Sequence, residues 1–209
     1  MTAQALYLQK RTTAAAAVRH VHNGDTIIVP TGVGEPPTLL TELSTQRHSF
    51  HDVKVAQILA VRKYAYFDPE TVANVRHVAL FYGPASRAGG QAGWVDFTPN
   101  YFSEIPAQIE RGQIPANVVF SMASPMDAHG YFSLSLGADY TMAALTQARA
   151  VVLEVNPHVP FAYGNCLVHI SQVTALLESN EPIFEVGLPA IGPVQTAIGK
   201  QVADLIEDG

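Results

Sequence analysis

The chain has 209 residues, 48% hydrophobic and only 14% charged, with a formal net charge of -6. That composition supports one large domain with a substantial core and excludes an intrinsically disordered chain. No block of basic residues appears, so the footprint of a nucleic-acid binder is missing. The single cysteine, Cys166, excludes an intrachain disulfide and a cysteine metal cluster and fits a reducing compartment. The opening stretch MTAQALYLQKRTTAAAAV lacks the apolar core and cleavage site of a signal peptide, and no apolar run approaches the ~20 residues of a membrane span. A cytoplasmic protein is expected, with some of its low-charge surface covered by another domain or subunit.

Residues 2–22 read as one helix, with apolar residues at Leu6, Ala14, Ala17, Val18 and Val21 and a stop at Asn23-Gly24-Asp25. Residues 26–29 are a short apolar strand. It runs into Pro30-Thr31-Gly32-Val33-Gly34-Glu35-Pro36, and a helix follows with Pro37 in its first turn. Strand, glycine turn and helix start is a layout that cradles anions, because backbone N–H groups converge where the helix is partially positive. Gly32-x-Gly34 lacks the third glycine of a dinucleotide fingerprint and the Gly-Lys-Ser/Thr of a phosphate loop. By itself it describes a tight strand-to-helix turn as readily as a site.

Residues 53–59 and 75–81 read as strands, 68–72 as a short helix, and 86–90 as a loop or short helix. Residues 94–101 mix aromatics with turn formers, and a helix from Ser103 through Arg111 stops at Gly112. The stretch from Val118 to Gly137 reads as strand, exposed turn (Asp127-Ala128-His129-Gly130) and returning strand over 131–136. Asp139 begins a helix as its N-cap, and 150–155 form a buried strand. Residues 167–170 and 175–178 are shorter apolar segments. A terminal helix over 196–206 lines up Ile198, Val202, Leu205 and Ile206. Alternating strands and helices predict an α/β fold, a mainly parallel sheet with helices on both faces. Sites in such sheets lie at the carboxyl ends of strands, here the loops 30–37, 82–90, 121–130 and 156–166.

Asp127 and His129 have the chemistry of an acid/base pair, but no third residue has metal-ligand spacing, and they read as a structural turn whose histidine ties loops together. His169 reads as a satisfied core histidine. Cys166 reads as a small buried side chain rather than a nucleophile. Trp94 and the aromatics of 97–102 read as core or domain interface, or as the border of a pocket.

Several segments, in order, carry a resemblance. Gly24-Asp25, an apolar strand and Gly32-Val33-Gly34-Glu35-Pro36 are followed by Phe102-Ser103-Glu104-Ile105-Pro106. Then come Ser124-Pro125-Met126-Asp127-Ala128-His129-Gly130-Tyr131-Phe132-Ser133-Leu134, and Glu154-Val155-Asn156-Pro157-His158-Val159-Pro160 with Tyr163-Gly164 and Val168-His169. Together they resemble the N-terminal domain of the acetyl-CoA hydrolase/transferase family, a branch of the family I coenzyme A transferases, and lean towards its 4-hydroxybutyrate- and itaconate-type members.

The resemblance implies one CoA-transferase-like α/β domain over residues 1–209, with a second domain outside this sequence. It implies transfer of coenzyme A between an acyl-CoA and a small carboxylic acid (itaconate-, 4-hydroxybutyrate- or acetate-type). The glutamate that forms the glutamyl-CoA thioester is expected beyond residue 209. No catalytic residue is therefore assigned here; Glu104 and Glu154 match family positions other than the nucleophile. Substrate binding is expected from Thr31, Gly32, Val33, Gly34, Phe161, Tyr163 and Gly164. Coenzyme A enters as substrate, with no bound cofactor and no metal. The expected partners are acyl-CoA, small acids, the C-terminal domain or subunit and further copies of the chain, without nucleic acid or membrane. An acyl-CoA hydrolase and a non-catalytic carboxylate- or CoA-binding module are the alternatives. The family often has arginine where Phe161 stands, Asp at Asn165 and Ser at Cys166, a departure that points away from a simple acetate clamp towards a different acid.

Overall fold

Seven parallel strands form the centre of the structure, a computed structural model that describes residues 2–207. They are β1 (Thr26–Ile28), β2 (Val53–Gln57), β3 (Val75–Ala79), β4 (Asp96–Phe97), β5 (Val118–Ala123), β7 (Ala150–Val155) and β9 (Ala175–Glu178), in the order β4-β3-β2-β1-β5-β7-β9. β6 (Tyr131–Ser133) and β8 (Leu167–His169) form a separate antiparallel pair. Ile27 sits between Val55 and Val118, so β1 is the middle strand. The strand order runs outward in opposite directions on its two sides. The chain therefore reverses between β1 and β5, and the carboxyl ends of those two strands are where ligands bind in sheets of this kind. β5 and β7 are buried at every position, as their near-continuous apolar runs require in a sheet covered on both faces.

Successive side chains alternate between the two faces. Ile27, Val55, Phe120 and Val152 face a core closed by α2 (Ala14–Ala17), α3 (Pro37–Thr45) and the aromatic turn at 64–67. Ile28 and Val119 face α5 (Ile105–Glu110) and α6 (Thr141–Gln147), while Val151, Leu153 and Leu176 lie under the β6–β8 pair and α1 (Ala3–Lys10). α4 (Arg87–Ala92) leads into β4 through Gly93, at φ +86°. On β3 the second face is less covered, with Val75, His77 and Ala79 buried but Arg76 and Val78 only partly so.

Several elements differ from the sequence expectation. The helix expected over 2–22 is interrupted at residues 11–13, because Arg11 bridges Leu176 in parallel and the Thr12 amide donates to the Leu176 carbonyl at 2.8 Å. Thr13 then caps α2 by accepting from the Ala16 amide at 3.3 Å. The helix expected at 68–72 is a single 3₁₀ turn, Pro69–Thr71. The returning strand after Gly130 closes its turn against β5, with the Ser124 amide 2.9 Å from the Ser133 carbonyl, but then pairs with β8 and stops at Ser133. Residues 135–137 turn instead. The terminal helix α7 (Pro193–Ala203) starts earlier than expected and buries no residue.

Candidate functional site

The turn after β1 is held almost completely by its own neighbours. The Thr31 amide donates to Asp139 Oδ2 at 2.8 Å, and the Gly32 amide to the Leu59 carbonyl at 2.8 Å. The Gly34 and Glu35 amides close a 3₁₀ turn on Thr31 and Gly32. The Val33 amide and the Thr31 hydroxyl are bonded to no other group among the described residues. Gly32 has φ +55°, the left-handed region that favours glycine. Gly34 is glycine because a Cβ there would lie 2.7 Å from the Gly137 Cα and 2.9 Å from the Pro30 Cβ. The 135–137 turn thus presses directly on the 32–34 turn.

Two buried carboxylates fix this loop from either side. Glu154, at 0% exposure, accepts from the Thr38 amide at 2.9 Å, the Leu39 amide at 3.1 Å and the Thr38 hydroxyl at 2.7 Å. The first amides of α3 are therefore spoken for, and the expectation that a substrate carboxylate uses this helix start narrows to the Val33 amide and Thr31 hydroxyl. Glu35 is also buried and accepts from the Gln57 side chain at 3.0 Å, the Tyr64 hydroxyl at 3.0 Å and the Val61 amide at 3.3 Å. Burial pushes both carboxyls above the ordinary glutamate range, and their hydrogen bonds pull back against it. Asp139, raised by burial in the same way, bonds both Thr31 and the Thr141 amide and hydroxyl. Tyr140 donates to the Val29 carbonyl and accepts from the Ile58 amide, tying the ends of β1 and β2.

The second predicted loop follows β7. Asn156 accepts from the His158 amide at 2.9 Å and reaches the Glu181 carbonyl at 2.8 Å. Ser133 and Ser135 donate to the Ala162 and Pro160 carbonyls at 2.9 and 2.6 Å. Phe161 and Tyr163 meet edge to face with centroids 5.3 Å apart; Tyr163 is 86% exposed, and Gly164 turns at φ +109°. The 135–137 turn consequently stands between the two predicted loops. No hydrogen bond or aromatic contact joins 31–34 directly to 161–164 among the described residues. Beside the first turn of α3 lies an open depression of about 410 Å³ bordered by Thr38, Thr41, Arg62 and Glu181.

Asp139 carried an N-cap signal in the sequence, and Glu154 matched a family position. Glu35 and Gly137 carried only their place beside glycine-containing segments. The Asp127 carboxylate accepts from the Tyr131 and His129 amides at 2.8 and 2.9 Å, and those bonds hold it below the usual range. The aspartate carries that turn; the His129 ring makes no hydrogen bond among the described residues. His169 is a half-buried cap rather than a core group, its Nδ1 2.8 Å from the Ser171 hydroxyl. Cys166 is buried, 3.3 Å from the Ala162 carbonyl. No cluster of three His, Cys, Asp or Glu side chains suited to a metal occurs among the described residues.

A family profile described as acetyl-CoA hydrolase/transferase N-terminal domain matches residues 1–186. The chain belongs to that family. It is 39% identical over 203 residues to the succinyl-CoA:cyclohexane-1-carboxylate CoA transferase of Geobacter metallireducens, covering 97% of this chain and 46% of that protein. It is 32% identical to the 4-hydroxybutyrate coenzyme A transferase of Clostridium kluyveri, over 98% of this chain and 48% of the relative. The crystal structure of RipA from Yersinia pestis superposes with TM-score 0.91 at 30% identity, covering all of this chain and 51% of RipA. The 4-hydroxybutyrate CoA-transferase of Porphyromonas gingivalis gives 0.75 at 29% identity, over 99% and 48%. The chain thus spans about half the length of the relatives it matches. In this acetyl-CoA hydrolase/transferase N-terminal domain, the glycine turn and the aromatic loop sit at the same end of the sheet.

Proposed function

We propose that this chain is the N-terminal half of a CoA-transferase that exchanges coenzyme A between an acyl-CoA and a carboxylic acid. One observation carries the reading. At the carboxyl end of the central strand, a turn with all its other amides engaged presents the Val33 N–H and the Thr31 hydroxyl, in a chain whose relatives are named as CoA transferases.

The second half supplies a glutamate. Its carboxylate attacks the acyl-CoA carbonyl, the C–S bond breaks, and a mixed anhydride and CoA thiolate form. The thiolate attacks the glutamyl carbonyl, giving glutamyl-CoA and releasing the first acid; the second acid then takes CoA by the reverse steps. Each step passes through an oxyanion that needs a fixed donor. The Val33 amide is the donor this half contributes, and the Thr31 hydroxyl orients the acid beside it. Phe161 and Tyr163, with Gly164 turning the loop, form an apolar wall that suits an acid with a carbon-rich body, of the 4-hydroxybutyrate or itaconate size or larger, better than acetate. The working enzyme is read as a cytoplasmic homo-oligomer; no helix among the described residues is long and apolar enough to cross a membrane.

CoA exchange tests this, measured between an acyl-CoA and a panel of acids with this chain plus the second half of a relative. Borohydride trapping of glutamyl-CoA runs alongside. Activity and a trapped adduct only in the combined sample support it, as does a loss of about 100-fold in kcat for Val33→Pro with an unchanged melting temperature. Ligand binding by this chain without exchange in the combined sample would assign it to a binding module instead.

A further inference from the structure

The 31–34 turn and the 160–164 loop share no hydrogen bond among the described residues, yet both hang on one short stretch, residues 133–139. On one side, Asp139 Oδ2 receives the Thr31 amide at 2.8 Å. Its Oδ1 receives the Thr141 amide and hydroxyl at 2.9 and 2.7 Å, which holds the carboxylate against α6. Gly137 lies flat on the same turn, since a Cβ there would stand 2.7 Å from the Pro30 Cβ. On the other side, the Ser135 hydroxyl donates to the Pro160 carbonyl at 2.6 Å. The fully buried Ser133 hydroxyl donates to the Ala162 carbonyl at 2.9 Å and accepts from the Ala162 amide at 3.1 Å. The other hydrogen bond to 160–164 among the described residues comes from the Cys166 thiol, 3.3 Å from that same Ala162 carbonyl.

Ala162 is therefore held by two side chains, but the carbonyl just before Phe161 is held by Ser135 alone. Where the Pro160 carbonyl goes, the Phe161 ring follows, and Tyr163 meets that ring edge to face at 5.3 Å. The spacing between the Thr31 and Val33 donors and the aromatic wall is thus set by a stretch that belongs to neither loop.

We propose that residues 133–139 fix the length of acid the site accepts, and that Ser135 is the positioning residue through which they do so. The proposal rests on the reading above, in which Thr31 and Val33 take the carboxylate and Phe161 and Tyr163 the carbon body. With the Ser135 hydroxyl in place, the wall is already set when the acid arrives. A four-carbon acid then gains its contact without ordering the loop, and acetate is too short to gain it.

Binding of acetate and of 4-hydroxybutyrate tests this, measured by calorimetry on the joined enzyme. That protein is one polypeptide in which residues 1–209 are followed by the second half of the Geobacter metallireducens relative. CoA exchange with the same two acids is measured alongside. The parent binds 4-hydroxybutyrate more tightly. Ser135→Ala lowers that preference about 10-fold, the scale of one apolar contact in a pocket. Ser135→Thr keeps the hydroxyl and keeps the preference. Asp139→Asn, at the other end of the stretch, has one acceptor oxygen for two sets of donors. It weakens both acids by a common factor and leaves their ratio as in the parent.

A preference unchanged by Ser135→Ala overturns the proposal, as does a parent that shows no binding or no preference. An equal fall in the Ala and Thr variants overturns it too, because bulk rather than the hydroxyl would then hold the loop. So does a common loss for both acids in Ser135→Ala, which would make the serine a support of the fold. CoA exchange is read separately. A Ser135-dependent preference in a joined protein that exchanges no CoA leaves the positioning role intact and removes the transferase reading; exchange whose preference ignores Ser135 does the reverse.

Discussion

Glu154 closes the N-terminus of α3 across 116 positions of sequence, its carboxylate receiving both the amide and the hydroxyl of Thr38. The contact joins the end of β7 to the helix that follows the glycine turn. It sets where that turn can point.

Glu154→Ala should destabilise the chain by about 3 kcal/mol, since it strands two helix amides and the Thr38 hydroxyl in a buried setting. Glu154→Gln keeps one acceptor oxygen and should cost about 1 kcal/mol. Urea denaturation of the three proteins gives both numbers. Equal stability of Ala and Gln variants would mean that the helix start is satisfied by water.

Gly34→Ala forces a Cβ to within 2.7 Å of the Gly137 backbone. Neither partner is the end of a flexible side chain, so the 32–34 and 135–137 turns must separate, at a cost of roughly 1–3 kcal/mol. Because the Val33 amide moves with the turn, CoA exchange in the joined enzyme should fall further than the stability loss accounts for. Gly32→Ala is the comparison: it meets no atom within 4 Å and suffers only from φ +55°.

The large framework was legible because its signals are local. The apolar runs at Val118–Phe120 and Ala150–Val155 are long enough to read as covered parallel strands, and Pro37 marks a helix start without outside help. What stayed hidden depends on distant partners. The break at Thr12 exists because Leu176 offers a carbonyl, and β6 leaves its hairpin because Val168 lies opposite Phe132. The same holds at the site. Thr31, Val33 and Gly34 stood out through the glycine pattern, whereas the loss of the α3 amides to Glu154 became visible only with the fold.

His77 should cost the fold stability on the acid side of its pH profile. It is 1% exposed, packed against Phe67 at 4.3 Å, and its Nδ1 has no partner. Burial lowers its pKa from 6.5 to about 3. The folded state then binds fewer protons than the unfolded state between those values, so stability is full above pH 6.5 and falls as pH drops towards 3. The slope from this group approaches about 1.4 kcal/mol per pH unit within that window. His77→Phe keeps the ring stacking and removes the titration. The difference in unfolding free energy between the two proteins should be small at pH 7.5 and move in favour of the variant as pH falls. A constant difference would show that the histidine is protonated equally in both states.

Phe161→Arg is expected to change which acid is accepted rather than whether CoA moves. Phe161 is half-buried, meets Tyr163 edge to face, and follows Pro160, whose carbonyl Ser135 holds at 2.6 Å. The backbone is therefore fixed while the side chain stays partly open to solvent. A guanidinium there offers a two-pronged clamp to a small carboxylate and removes apolar wall from a bulky one. Exchange in the joined enzyme should rise for acetate and fall for larger or ring-bearing acids. Loss of one such apolar contact is worth about 1–3 kcal/mol, a 10- to 200-fold change in relative kcat/KM. A uniform loss across the panel would place Phe161 in the support of the loop, and an unchanged order of acids would place the acyl pocket away from it.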